Sequence, residues 1–160
     1  VPDEPPEIVP ERLNARDEAL YEAMAFCCVT ESINAALLAE IVRVATEPTI
    51  RSAARDLMRD EVQHARLGWA FLAHEAGQRP LPQATRWLPW MLAGAVSETL
   101  QDEHAPAAGH PDHDHGYLDR DHRIALFTGA LESVILPGAL SHGIDVRPSR
   151  DWLQRQPWRR

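Results

Sequence analysis

Between Ala15 and Ala45 the chain has neither proline nor glycine, and its apolar residues recur at steps of three and four. That spacing follows the 3.6-residue turn of an α-helix, so the stretch predicts one long helix over about 15–45 with an apolar stripe. Such a helix has to bury its stripe against other elements, and the remaining periodic segments are helical as well. Thr46-Glu47-Pro48-Thr49 supplies a stop and a restart, because Thr can cap a new helix and proline suits a first turn but not an interior. A second helix is predicted over about 49–76, a short third over about 90–103 and a fourth over about 118–136. Trp87 and Trp90 stand near the entrance of the third as large apolar anchors. Pro80, Pro82 and Pro89 predict an extended connector over residues 78–89, able to reach along the bundle, and Pro137-Gly138 predict the end or a kink of the fourth helix. The expectation is an all-α antiparallel four-helix bundle over 15–142, with an extended proline-rich arm at 1–14 and a docking tail at 143–160 that carries Trp152 and Trp158.

A chain of 160 residues fits a single domain that buries a core without disulfide staples. Its net charge of -8, from 16 Lys+Arg against 24 Asp+Glu, repels phosphate and favours cations, so no nucleic-acid partner is expected. The basic residues Arg155, Arg159 and Arg160 are too few to reverse that balance. No window approaches the roughly 20 unbroken apolar residues of a membrane span, so no membrane partner is expected either. Cys27 and Cys28 are adjacent, and neighbours on a helix diverge, which predicts reduced thiols. With no secretory leader visible, a cytoplasmic location is the expectation.

Ionisable residues interrupt the predicted apolar stripes. On the second helix one face reads Ile50, Ala54, Leu57, Glu61, His64, Gly68, Phe71. Residues three apart on a helix have Cβ atoms about 5–6 Å apart, so Glu61 and His64 can grip a common ion. Chance alone can supply such a pair in a chain with eight histidines; burial is what would make it informative, because a buried carboxylate is normally paired, neutralised or metal-bound. Glu31 sits mid-way along the first helix on a face with Leu20, Met24, Cys27, Asn34, Leu38 and Ile41, and an antiparallel neighbour brings it to the height of Glu61. Glu98 on the third helix and Glu132 on the fourth are expected at the same level, among the small residues Gly94, Ala95, Thr128 and Gly129.

Glu31, the Glu61-Val62-Gln63-His64 motif, Glu98 and Glu132, one carboxylate from each helix, resemble the metal-carboxylate constellation of the ferritin-like superfamily. The resemblance covers roughly residues 15–138. It implies a centre for two iron ions, with manganese or zinc as alternatives, that oxidises ferrous iron or activates O₂, and a long crossover between the second and third helices. The chain departs from members with two Glu-x-x-His motifs, such as rubrerythrin-like and bacterioferritin-like proteins, because Ile135 stands three positions after Glu132. The second metal position is accordingly the weaker, and Asp119 with His122 is a lesser candidate for a second chelate. Hard oxygen donors with one imidazole suit iron(II), manganese or zinc, and no thiolate cluster points to iron–sulfur chemistry.

Two other readings compete. In one the buried charges satisfy one another, for instance His64 with Glu31, in a scaffold or partner-binding bundle with a degenerate or mononuclear site. Alternatively, the segment from 104 to 122, with His104, His110, His113, His115 and His122 among aspartates, collects cations at the surface. A homo-oligomer is expected, since an incomplete carboxylate site can gain ligands across a subunit interface. The tail is expected to be free to engage a shell or partner protein.

Overall fold

Apolar periodicity is realised as helix throughout the described residues, 13–100 and 115–159 without the side chains of Glu98 and Arg159, and no strand occurs among them. The structure is a computed structural model. Helix α1 spans Ala15–Val44 and α2 Pro48–Gln78; α3 spans Pro82–Leu100, α4 Arg120–Ser141 and α5 Arg147–Gln154. The architecture is an all-helical bundle. The arm at 1–12 and the histidines His104, His110 and His113 lie outside the described residues.

Helix α1 is central. It pairs antiparallel with α2 and also packs against α3 and α4, whereas α2 packs chiefly on α1 and α5 packs on α3. Tight local chemistry sets the α1–α2 hairpin. Pro48 occupies the first turn of α2, and the Glu47 carboxylate, rather than the expected threonine, caps it by accepting the Ile50 N–H at 2.8 Å. At the far end Arg16 of α1 donates to the buried Glu75 of α2 at 2.8 Å, and Arg79 adds a second contact at 3.2 Å. The two guanidinium groups, Arg16 first, hold the Glu75 carboxyl below its ordinary range.

Two expectations about proline are corrected. Residues 78–89 are not an extended connector: only residues 79–81 separate α2 from α3, so the long crossover implied by the resemblance is absent. Pro82 takes the helix-compatible first turn, and Pro89 lies inside α3. The missing hydrogen bond at Pro89 is outweighed by a stripe of buried residues, Ala84, Trp87, Leu88, Met91, Leu92 and Ala95, at strict helical spacing. Trp87 packs edge-on to Tyr21 of α1 at 5.6 Å and is a core residue, while Trp90 is exposed.

Nor does Pro137 end α4. A π-turn over Leu131–Ile135 precedes it, with the Leu136 N–H bonding back five residues to Leu131, so the proline enters a ladder already displaced and the helix runs on to Ser141. A second π-turn, Ala23–Thr30, lies within α1 directly before Glu31. The C-terminal segment is ordered onto the bundle itself: Leu153 is buried, and Trp158 stacks edge-on to Phe127 at 6.3 Å and to Trp152 at 6.2 Å. By length and composition α1 and α4 could each cross a membrane. In this fold they carry much of the shared core: Leu20, Met24, Val29, Ile33, Phe127, Leu131 and Ile135.

Candidate metal site

The site forms beside a close approach of α1 and α2. Gly68 makes that approach possible: a Cβ on it would lie 2.4 Å from the Cys27 Cβ and 3.0 Å from the Cys27 carbonyl carbon. No side chain fits there without moving backbone. One turn from this contact Glu31 follows Cys27 on α1, and one turn away on α2 His64 precedes Gly68, with Glu61 three residues earlier. Close packing at the glycine thus delivers all three groups to one place.

There, Glu31, Glu61 and His64 each offer a ligand atom within 4.8 Å of the others. The His64 Nδ1 lies 3.7 Å from a Glu31 oxygen and 3.6 Å from a Glu61 oxygen. The Glu31 Oε2 and Glu61 Oε2 atoms are buried and lack a hydrogen-bond partner. Burial first, and then the neighbouring Glu61 carboxylate, push the Glu31 carboxyl up to about 7, against a weaker opposing pull from His64. Two carboxylates and an imidazole in this geometry form a small anionic pocket suited to a divalent cation.

The position of the pocket corrects an expectation. It is not deep in the bundle: both glutamate side chains are 21% exposed and that of His64 is 57% exposed. The buried stripe of α2 runs through Ala54, Ala65, Gly68, Leu72 and Glu75, rotated from the one the sequence suggested, so Leu57 and His64 fall on its open flank. The Cys27 thiol, beside Glu31, is raised by burial and by that carboxylate, and Cys28 is pushed up to about 12 by burial, which keeps both protonated.

Of the other candidate ligands, those whose side chains are described are not brought to this triad. Glu132 is exposed and lines a separate cavity of about 260 Å³ with Leu136, Arg150, Leu153 and Gln154. Glu132 continues the exposed stripe of Ala125 and Gly129 at ordinary helical spacing, and the widened turn then swings Ile135 and Leu136 into the core. Glu98 lies near the C-terminal end of α3, and its side chain is outside the described residues. Asp119 caps α4 by accepting the His122 N–H at 2.8 Å, and the His122 Nε2 lies 2.7 Å from Glu40. Capping and ion pairing, rather than chelation, occupy that pair.

Two features escaped the sequence reading. Gly68 reads in the sequence only as a member of an apolar face, and a single helical glycine does not announce that a second backbone crosses there; the structure shows that crossing. On the opposite flank of the α1–α2 seam an apolar groove of about 330 Å³ is lined by Ala35, Ala36, Val62, Ala65, Trp69 and Val134. Trp69 is held there by donating to Ser32 Oγ at 3.3 Å and by resting on Gly138. No family model, curated protein or solved structure matches this chain.

Proposed function

We propose that Glu31, Glu61 and His64 bind a divalent first-row metal ion, iron(II) foremost with manganese or zinc as competitors, and that the chain is a metal-carboxylate helical bundle that oxidises ferrous iron or activates O₂. The reading rests on one observation: Glu31 and Glu61 each place one oxygen 3.6–3.7 Å from the same His64 nitrogen, and each carries a buried Oε2 with no hydrogen-bond partner. Like charges held this close raise each other's cost of ionisation, and a divalent cation removes that cost while using the same lone pairs. Three protein donors leave coordination positions open, the condition under which O₂ or a substrate can reach iron. Ferrous iron is in this reading either the substrate, losing one electron to O₂, or the resident cofactor. The likeness to ferritin-like proteins lies in the donor set, not in the connectivity, since the link between α2 and α3 is short.

Metal analysis of protein purified without chelator, followed by ferrous titration in air, tests the proposal. Wild type is expected to hold about one ion per chain, and Glu61→Ala and His64→Ala to lose it. A second reading is favoured by the distances from His64 to both glutamates: a scaffold in which His64 and the two carboxylates satisfy one another. Sub-stoichiometric metal in wild type, unchanged in both variants, would establish that scaffold and end the metal reading.

A further inference from the structure

Three protein donors are fewer than the roughly four to six that a first-row divalent ion takes, and the register of the α1–α2 seam shows where a fourth stands. The 3.7 Å contact between Glu31 and His64 puts those residues in one tier of the antiparallel pair. Three residues onward on α1 and three back on α2, about 4.5 Å along each axis, the next tier holds Asn34 and Glu61. Glu61 is tied to the first tier by its 3.6 Å contact with His64. Both steps lie in regular α-helix, beyond the π-turn that ends at Thr30. The two helices thus carry matching pairs, Glu31-x-x-Asn34 and Glu61-x-x-His64. In antiparallel right-handed helices the same three-residue step turns both second members by about 60° toward the same flank of the seam. That flank is the open one, where His64 is exposed; Asn34 on it is partly buried.

Asn34 already engages the site. Against burial and the Glu61 carboxylate, which raise the Glu31 carboxyl, His64 and a hydrogen bond from the Asn34 amide pull it down. The Oε2 atoms of Glu31 and Glu61 nevertheless keep no hydrogen-bond partner, so the amide leaves lone pairs of both carboxylates open to an ion. An asparagine side chain carries an acceptor oxygen beside its N–H donors, and a half-turn of the amide exchanges them. Amide oxygen is a hard, neutral donor of the kind that suits manganese and similar divalent ions. It adds a ligand without adding charge to a chain already at -8.

We propose that Asn34 is the fourth protein ligand of the site, its Oδ1 completing a four-cornered set with Glu31, Glu61 and His64. The inference rests on the reading of those three residues as a cation site. Two glutamates take the inner, diagonal corners, and Asn34 and His64 take the outer ones. Four donors still leave positions open on a six-coordinate ion.

The test uses the full chain with manganese(II) as the probe, reading affinity by calorimetric titration and the number of waters on the bound ion by water-proton relaxation. Asn34→Ala, checked for unchanged helicity, is expected to weaken binding by more than about tenfold and to add one water, because solvent takes the vacated position. Asn34→Asp, which keeps an oxygen at the same place, is expected to hold the wild-type water number and to bind at least as tightly. Unchanged affinity and water number in Asn34→Ala overturn the inference and leave the site of Glu31, Glu61 and His64 standing. Weaker binding at an unchanged water number also overturns it, since Asn34 then only orients the Glu31 carboxylate. An extra water in Asn34→Asp does the same. Wild type that binds no manganese removes the three-residue site and the inference together.

Discussion

Each of the two π-turns among the described residues carries or precedes a glutamate, and the two glutamates meet opposite fates. Glu31 follows the turn at Ala23–Thr30 and enters the α1–α2 seam, where its carboxyl is raised to about 7. Glu132 sits within the turn at Leu131–Ile135 and leaves the core for a cavity shared with Arg150. Both are mid-helix acids among small or apolar neighbours, and both belong to the same sequence pattern. The difference is the neighbouring helix: Gly68 lets α2 close on Glu31 and present Glu61 and His64, whereas Glu132 faces α5, which brings a guanidinium. A glutamate at helical spacing becomes a candidate ligand only where a second backbone comes close enough to add donors.

The sharpest way to break this comparison is to push the α1–α2 seam apart. Gly68→Val should cost up to about 3 kcal/mol, the scale of overpacking against backbone, and should abolish metal binding although no ligand is changed. Denaturant midpoints and a ferrous or manganous titration report the two effects together. Normal metal affinity in this variant would show that the close crossing does not build the site.

Next in size is the contrast between the two glutamate regions. Glu61→Ala is expected to weaken metal binding by more than the roughly 10–100-fold that loss of an outer-shell partner causes. Glu132→Ala, by contrast, should leave affinity unchanged by calorimetric titration. If both variants weaken binding alike, Glu132 reaches the metal and its placement on the outer face fails.

Titration behaviour sharpens the comparison further. Glu31 in the folded chain holds its proton up to about 7, while the unfolded chain releases it near 4.5, so over that window the folded state binds more protons. The stability of metal-free protein from this group is therefore greatest below about 4.5 and declines as pH rises through about 7. Glu31→Gln should flatten that decline and stabilise the metal-free protein above pH 7 by about 1–3 kcal/mol, while removing metal affinity. Wild-type metal affinity should rise across the same window, because the ion displaces the proton. Urea midpoints at several pH values, with and without manganese, separate these contributions. The smallest expected effect is Glu132→Gln, within about 1 kcal/mol in thermal or denaturant unfolding, the scale of a solvent-exposed charge interaction.

Much of the α1–α2 hairpin was legible because it depends on local rules: a breaker-free apolar repeat, a proline in a first turn, and two acids brought level by an antiparallel pairing. The third helix was misread because prolines were weighed above periodicity, although Ala84, Trp87, Leu88, Met91, Leu92 and Ala95 keep the helical step across Pro89. Burial of that stripe, a tertiary gain, overcame the local cost. The three converging residues were legible as candidates and Glu132 was misread, since small residues such as Ala125 and Gly129 fit an exposed face as readily as a buried one.

By itself the sequence determined the all-helical class, the α1–α2 pairing and the candidacy of Glu31, Glu61 and His64, because helical periodicity and spacing are properties of the chain alone. Only the tertiary structure decided which carboxylates converge, how exposed they are and which flank they face. Those outcomes depend on how closely two backbones can pack, on the rotation a π-turn introduces and on which neighbour occupies each face, and none of these is carried by residue spacing.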